Sequence, residues 1–200
     1  MIINIHGFRG SGDNSKYKWL QKNAAGHVIH SPTIDYENED PKSILGRLLD
    51  YARPYMAADV GGQLDIYAVG SSFGGFYARL LNIACRGLVA ILINPSLAPF
   101  LTVKDYLKTQ DCKAYLELAA EYFYEYDDRT NENLHVLIGD SDEVIDHAKM
   151  TLPLLPPGLS QVHRIKGGTH RFEIANEVEE ILRSIVKSPV RRGEVPARRV

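Results

Sequence analysis

Apolar residues along the chain gather into short runs at 2–5, 28–29, 64–69, 88–93, 134–138 and 162–165, several of them rich in Val and Ile. Runs this short predict buried strands rather than helices. Between them the apolar positions recur every three or four residues, with Ile44, Leu48, Tyr51 and Tyr55 in 43–56 and Phe76, Tyr77, Leu80 and Leu81 in 73–84, which predicts helices. The alternation predicts an α/β fold, with a mainly parallel sheet of about six strands, helices on both faces and ligands at the carboxyl ends of the strands. The first run starts at Ile2, so leading antiparallel strands are not expected.

The segment 95–129 interrupts this rhythm, being longer than one helix and two loops require. Within it Tyr115, Leu118, Ala119, Tyr122 and Tyr126 share one helical face, while Glu117, Glu121 and Glu125 form a stripe on another. Two readings stand side by side: a cap over a site, or a helix packed on the flank of the sheet.

Two hundred residues, 44% of them hydrophobic, suit a single domain over 1–188. The stretch 189–200 has four arginines, one glutamate, two prolines and no periodicity, and reads as a basic tail. Its charge of +3 against -2 for the whole chain leaves -5 for the rest, so nucleic acid is not an expected partner. No apolar run has the length of a membrane span, and the first residues lack the pattern of a secretory leader, so a cytoplasmic protein is expected. Cys85 and Cys112 are expected to be reduced and packed, and neither lies in a metal-binding or redox spacing.

Chemistry concentrates at three predicted strand ends. The stretch LDIYAVGSSFGGFYAR, residues 64–79, reads as strand, sharp turn and helix, with Ser72 on the turn and glycines where side chains would collide. A serine hydroxyl needs a base to take its proton, and the base needs an acid to hold its ring. The later strand ends supply Gly139-Asp140-Ser141-Asp142-Glu143-Val144-Ile145 and Lys166-Gly167-Gly168-Thr169-His170-Arg171-Phe172. The order serine, acid, histidine is that of an α/β-hydrolase. His170 is the expected base. His135 and His163 lie inside predicted strands, His27 and His30 flank one, and His147 belongs to a helix-like stretch, so these are read as structural. Among the crowded acids Asp142 is favoured, because Asp140 follows the strand's terminal glycine and can simply cap a turn, while Asp140 and Asp146 remain alternatives.

An oxyanion needs donors as well. The backbone amide of Phe73, at the start of the helix after the turn, is one candidate. The amide of Phe8, in the glycine-rich loop His6-Gly7-Phe8-Arg9-Gly10-Ser11-Gly12, is the other. That loop lacks the endings of phosphate- and dinucleotide-binding motifs. Arg9 can steer an anionic substrate, and Phe8, Phe73, Phe76 and Tyr77 form either core or a pocket for a small or medium acyl group.

Assembled, the chain resembles the YqiA-like esterase family of the α/β-hydrolase superfamily. The resemblance rests on IHGFRGSG, VGSSFGGFYAR, ILINPSLAPF with the following KDYL, GDSDEVIDH and GGTHRF, and extends nearly to Val186. It implies a compact hydrolase fold, a catalytic triad of Ser72, Asp142 and His170, and esterase activity on small-molecule acyl esters or thioesters, with no metal or other cofactor. The tail and the Tyr/Glu-rich segment 113–128 have no evident counterpart in that family, which leaves substrate preference open. The expected enzyme is thus a carboxylic ester hydrolase working through an acyl-enzyme, the alternatives being an acyltransferase using the same intermediate or a binding protein on a hydrolase scaffold. Oligomeric state has no signature in the sequence.

Overall fold

The structure, a computed structural model, describes residues 1–58, 65–123, 132–159, 161–174 and 176–186. Six strands and seven α-helices lie along them: β1 Ile2–Ile5, α1 Ser15–Asn23, β2 Ile29–His30, α2 Pro41–Ala58, β3 Tyr67–Ser71, α3 Phe73–Ala84, β4 Val89–Ile93, α4 Pro99–Thr102, α5 Thr109–Tyr122, β5 Leu134–Gly139, α6 His147–Met150, β6 Val162–Ile165 and α7 Asn176–Ile185. The six strands form one wholly parallel sheet in the order β2-β1-β3-β4-β5-β6. All six expected strands are present.

Alternation along each strand sends side chains into two apolar layers. Ile3, Ile5, Ala68, Ala90, Leu92, Val136 and Ile138 face α2, α3 and α5, while Ile2, Tyr67, Val69, Ile91, Ile93 and Leu137 face α1 and α7. A parallel sheet covered on both faces needs apolar residues at consecutive positions, which is why its strands read as unbroken runs. The α5 helix buries Tyr115, Leu118 and Ala119 in the first layer, packed against α2 and α3. The expected face of this helix continues to Tyr126, and its stripe to Glu125, both outside the described residues. The basic tail and Leu64 also lie outside them.

Two elements differ from expectation. The third strand runs on to Ser71 rather than ending at Val69, because Gly70 and Ser71 keep pairing with Leu92 and Ile93 although neither is apolar. Helix α1 has no clear apolar period. It is started by the Asn14 side chain, which accepts the Tyr17 amide N–H at 3.0 Å, and it buries only Leu20 completely.

The strand order reverses between β1 and β3, so the connections leaving these neighbours depart to opposite sides and open a crevice at their carboxyl ends. The loop after β1 and the turn after β3 both enter it.

Candidate active site

Ser72 links β3 directly to α3 with a φ of 51° and a ψ of -118°, a region that L residues rarely occupy. The turn is held from both sides. The Ser72 amide donates to the Ile93 carbonyl at 2.9 Å, and the Ser72 carbonyl accepts from the amides of Gly75 and Ser96, each at 2.9 Å. The approach of β3, α3 and β1 leaves no room for side chains: a Cβ on Gly70 would stand 2.3 Å from the Gly74 carbonyl oxygen, and one on Gly74 2.2 Å from that of Ile5. This is the steric role expected of those glycines.

Above the turn, Ser72 Oγ lies 3.0 Å from His170 Nε2. The other ring nitrogen, Nδ1, lies 2.9 and 3.1 Å from the two carboxylate oxygens of Asp142, whose side chain is only 2% exposed. Ser72, His170 and Asp142, drawn from the ends of three strands, therefore form one continuous hydrogen-bonded line. The competing acids stand elsewhere. Asp140 accepts the Gly167 amide at 2.7 Å, Glu143 accepts the His170 amide at 3.0 Å, and Asp146 pairs with Lys149 at 2.7 Å.

Asp142 is held by more than His170. Its Oδ1 accepts the amides of Val144 and Ile145 at 2.8 and 2.9 Å, and its Oδ2 lies 2.8 Å from His147 Nε2. Burial alone would raise the carboxyl, but the hydrogen bonds from His170, the two amides and His147 outweigh it and hold the pKa below the ordinary value. His147 belongs to the structural group expected from sequence, yet it touches the acid of this line. Burial pushes its pKa down, against the pull of Asp142. The ring sets Nε2 against Asp142 and Nδ1 against the Thr151 hydroxyl, 2.8 Å away, and that hydroxyl donates to the Pro95 carbonyl at 2.9 Å.

Asn94, which the sequence offers only within the ILINPSLAPF motif of the resemblance, also holds the site together. Its Oδ1 accepts the Gly139 amide at 2.7 Å, and its Nδ2 donates to the carbonyls of Thr169 and His170 at 2.9 and 3.1 Å, tying β4, β5 and the His170 turn together. Its φ of 42° belongs to the left-handed region that asparagine tolerates better than most residues.

The loop after β1 passes so close that a Cβ on Gly7 would stand 3.1 Å from Ser72 Cβ. His6 fixes it. The His6 Nε2 accepts the Ile34 amide at 2.8 Å, so the ring proton sits on Nδ1 and is donated to the Gly7 carbonyl at 2.7 Å, while burial lowers the pKa and keeps the ring neutral. The Phe8 ring stacks on that of Phe73 with centroids 5.9 Å apart, so the two candidate oxyanion amides belong to residues that touch. The Phe73 amide stands at the first position of α3, with no earlier helical turn to accept its hydrogen bond. Phe73, Phe76 and Tyr77 are fully buried and belong to the core, whereas Phe8 lines a cleft of about 280 Å³ over Ser72 and His170. Among the described residues no group of three or more His, Cys, Asp or Glu side chains is placed to hold a metal ion, and no helix is long and apolar enough to cross a membrane.

The model of the uncharacterised protein family UPF0227 matches residues 1–187. The chain belongs to that family. Solved structures similar to this member include the esterase Est1E from Butyrivibrio proteoclasticus, with a TM-score of 0.62 at 16% identity over 92% of this chain and 86% of that one in its ferulic acid complex. The capsule O-acetyltransferase of Neisseria meningitidis serogroup A has a TM-score of 0.60 at 16% identity over 92% and 86%. An esterase of Pyrobaculum calidifontis has a TM-score of 0.59 at 17% identity over 92% and 74%. At these identities the likeness is one of fold, and the fold is that of the α/β-hydrolases.

Proposed function

We propose that this UPF0227 member is a serine hydrolase that cleaves acyl esters or thioesters through an acyl-enzyme on Ser72. The observation that carries the reading is the Oγ to Nε2 distance of 3.0 Å with a buried carboxylate on the far side of the same ring. In the proposed cycle His170 takes the hydroxyl proton as Ser72 attacks the carbonyl carbon, and the amides of Phe8 and Phe73 receive the oxyanion. His170 then gives the proton to the departing alcohol or thiol, and water activated by the same ring releases the acid. Asp142 holds the tautomer with the proton on Nδ1 and stabilises the imidazolium.

Labelling with a fluorophosphonate tests this directly. Wild-type protein is expected to take up the probe covalently at Ser72, while Ser72→Ala and His170→Ala, shown to be folded by circular dichroism, are not. A folded wild type that stays unlabelled overturns the covalent mechanism. The same acyl-enzyme can also pass its acyl group to an alcohol, amine or thiol, and one protein of this fold is described as an O-acetyltransferase. Product analysis with competing acceptors separates hydrolysis from transfer.

A further inference from the structure

Ester cleavage of this kind does not by itself require a charged cleft, yet three cationic side chains face this one. Arg9, Lys16 and Arg171 line the cleft over Ser72 from three separate segments, and among the described residues no aspartate or glutamate does. Helix α1 adds to the field, because Ser15 and Lys16 of its first turn face the cleft and that turn contains no acidic residue. Helix N-termini favour acidic side chains, so a lysine there adds charge where the backbone is already positive. Like charges converging on one cavity destabilise it unless an anion is present.

Neutralisation within the chain is incomplete. Arg9 is bound to Glu37 at 2.7 and 3.0 Å and lies over the rings of Phe8 and Tyr106, at 5.3 and 4.7 Å from their centroids. Among the described residues neither Lys16 nor Arg171 has an ion-pair partner within 4.0 Å. The Lys16 ammonium makes one long contact, 3.4 Å to the Phe172 carbonyl, and burial pushes its pKa down while Glu173 acts from a distance. A half-buried ammonium with one weak acceptor keeps donors free for a ligand.

We propose that the substrate cleaved at Ser72 carries an anionic group, a carboxylate or a phosphate, which Lys16 and Arg171 bind. This rests on the serine hydrolase reading and adds a substrate class to it. The cleft volume of about 280 Å³ is small for a ligand site, so the anion lies within a few bonds of the scissile carbonyl.

Matched substrates test the proposal. Hemisuccinyl and butanoyl phenyl esters form one pair, and 2-acetoxyethyl phosphate and ethyl acetate the other, each rate divided by the alkaline hydrolysis rate of the same ester. The anionic member of at least one pair is expected to have a kcat/KM about tenfold higher, a ratio that shrinks with added salt. Lys16→Gln and Arg171→Gln are each expected to reduce that ratio by roughly three- to tenfold. The pair that responds identifies carboxylate or phosphate. Neutral members cleaved equally well in both pairs, or a ratio untouched in the double variant, overturn the proposal while leaving the hydrolase reading intact. Calorimetric titration of Ser72→Ala with uncleavable amides, succinamate against butyramide and 2-acetamidoethyl phosphate against N-ethylacetamide, decides anion binding even if no ester is cleaved. Anionic amides that bind no better than neutral ones overturn it as well. Failure of fluorophosphonate labelling, by contrast, counts against the hydrolase reading itself.

Discussion

At the scale of single residues, Asp142 is the side chain on which most contacts converge, receiving two imidazoles and two amides. An amide in its place would present N–H to His170 and favour the wrong tautomer, so Asp142→Asn is expected to lower turnover by about 10⁴ with little change in the fold. His147 acts on the same carboxylate from outside the proposed triad, and His147→Phe is expected to cost about tenfold in kcat through lost orientation. The measurement is kcat and KM for one ester in all three proteins, and a His147→Phe loss confined to KM would remove its positioning role. The sequence made Ser72 and His170 legible because each follows a strand beside turn glycines, a local signal. It left Asn94 without a role because its partners, Gly139, Thr169 and His170, come from distant segments that only the closed sheet brings together. His147 is different: it lies five residues from Asp142, and its helix-like surroundings, not distance, placed it among the structural histidines.

At the scale of elements, the strand-turn-helix unit works because β3 and α3 approach each other and β1 through glycine. Gly74→Ala would press a methyl group against the backbone carbonyl of Ile5, 2.2 Å away, where no flexible side chain can give. A loss of about 3 kcal/mol is expected, read as a lower urea midpoint. Gly46, inside α2, has open space around its missing Cβ, and Gly46→Ala is expected to gain about 0.5–1 kcal/mol from helix propensity alone. Equal effects at the two positions would contradict the close approach at the turn. Strands on both faces of a buried sheet announce themselves as apolar runs, and all six were readable for that reason. Helix α1 was not, since Leu20 is its one fully buried position and its start depends on a side-chain cap rather than on an apolar stripe.

At the scale of the molecule, acid acts on several buried imidazoles together. Burial lowers the pKa values of His6, His30, His135, His147 and His163 from 6.5, that of His135 to about 4 with the neighbouring His163 adding to the effect. A histidine in the unfolded chain keeps the ordinary value. Between 6.5 and the folded value the unfolded chain therefore binds more protons, and stability falls as the pH drops through that window. The pair on β5 and β6 marks where the effect is strongest. The His135 and His163 rings stack with centroids 6.2 Å apart, and His135 Nδ1 and His163 Nε2 are buried with no hydrogen-bond partner among the described residues. Solvent reaches part of these rings and screens them, so a loss of about 1–2 kcal/mol between pH 7 and 5 is expected from the urea midpoint. Replacing both with glutamine is expected to flatten that slope. His6 adds a local consequence. Protonation would put a second N–H on its Nε2, facing the Ile34 amide that this atom now accepts, and would loosen the loop carrying Phe8 before the sheet opens. Hydrogen exchange at the Ile34 amide, corrected for its intrinsic rate, is therefore expected to speed up in acid even in the glutamine double variant, whose urea midpoint falls less than that of the wild type. If that exchange instead tracks the urea midpoint in every variant, the loop has no titration of its own, and His6 serves only the global fold.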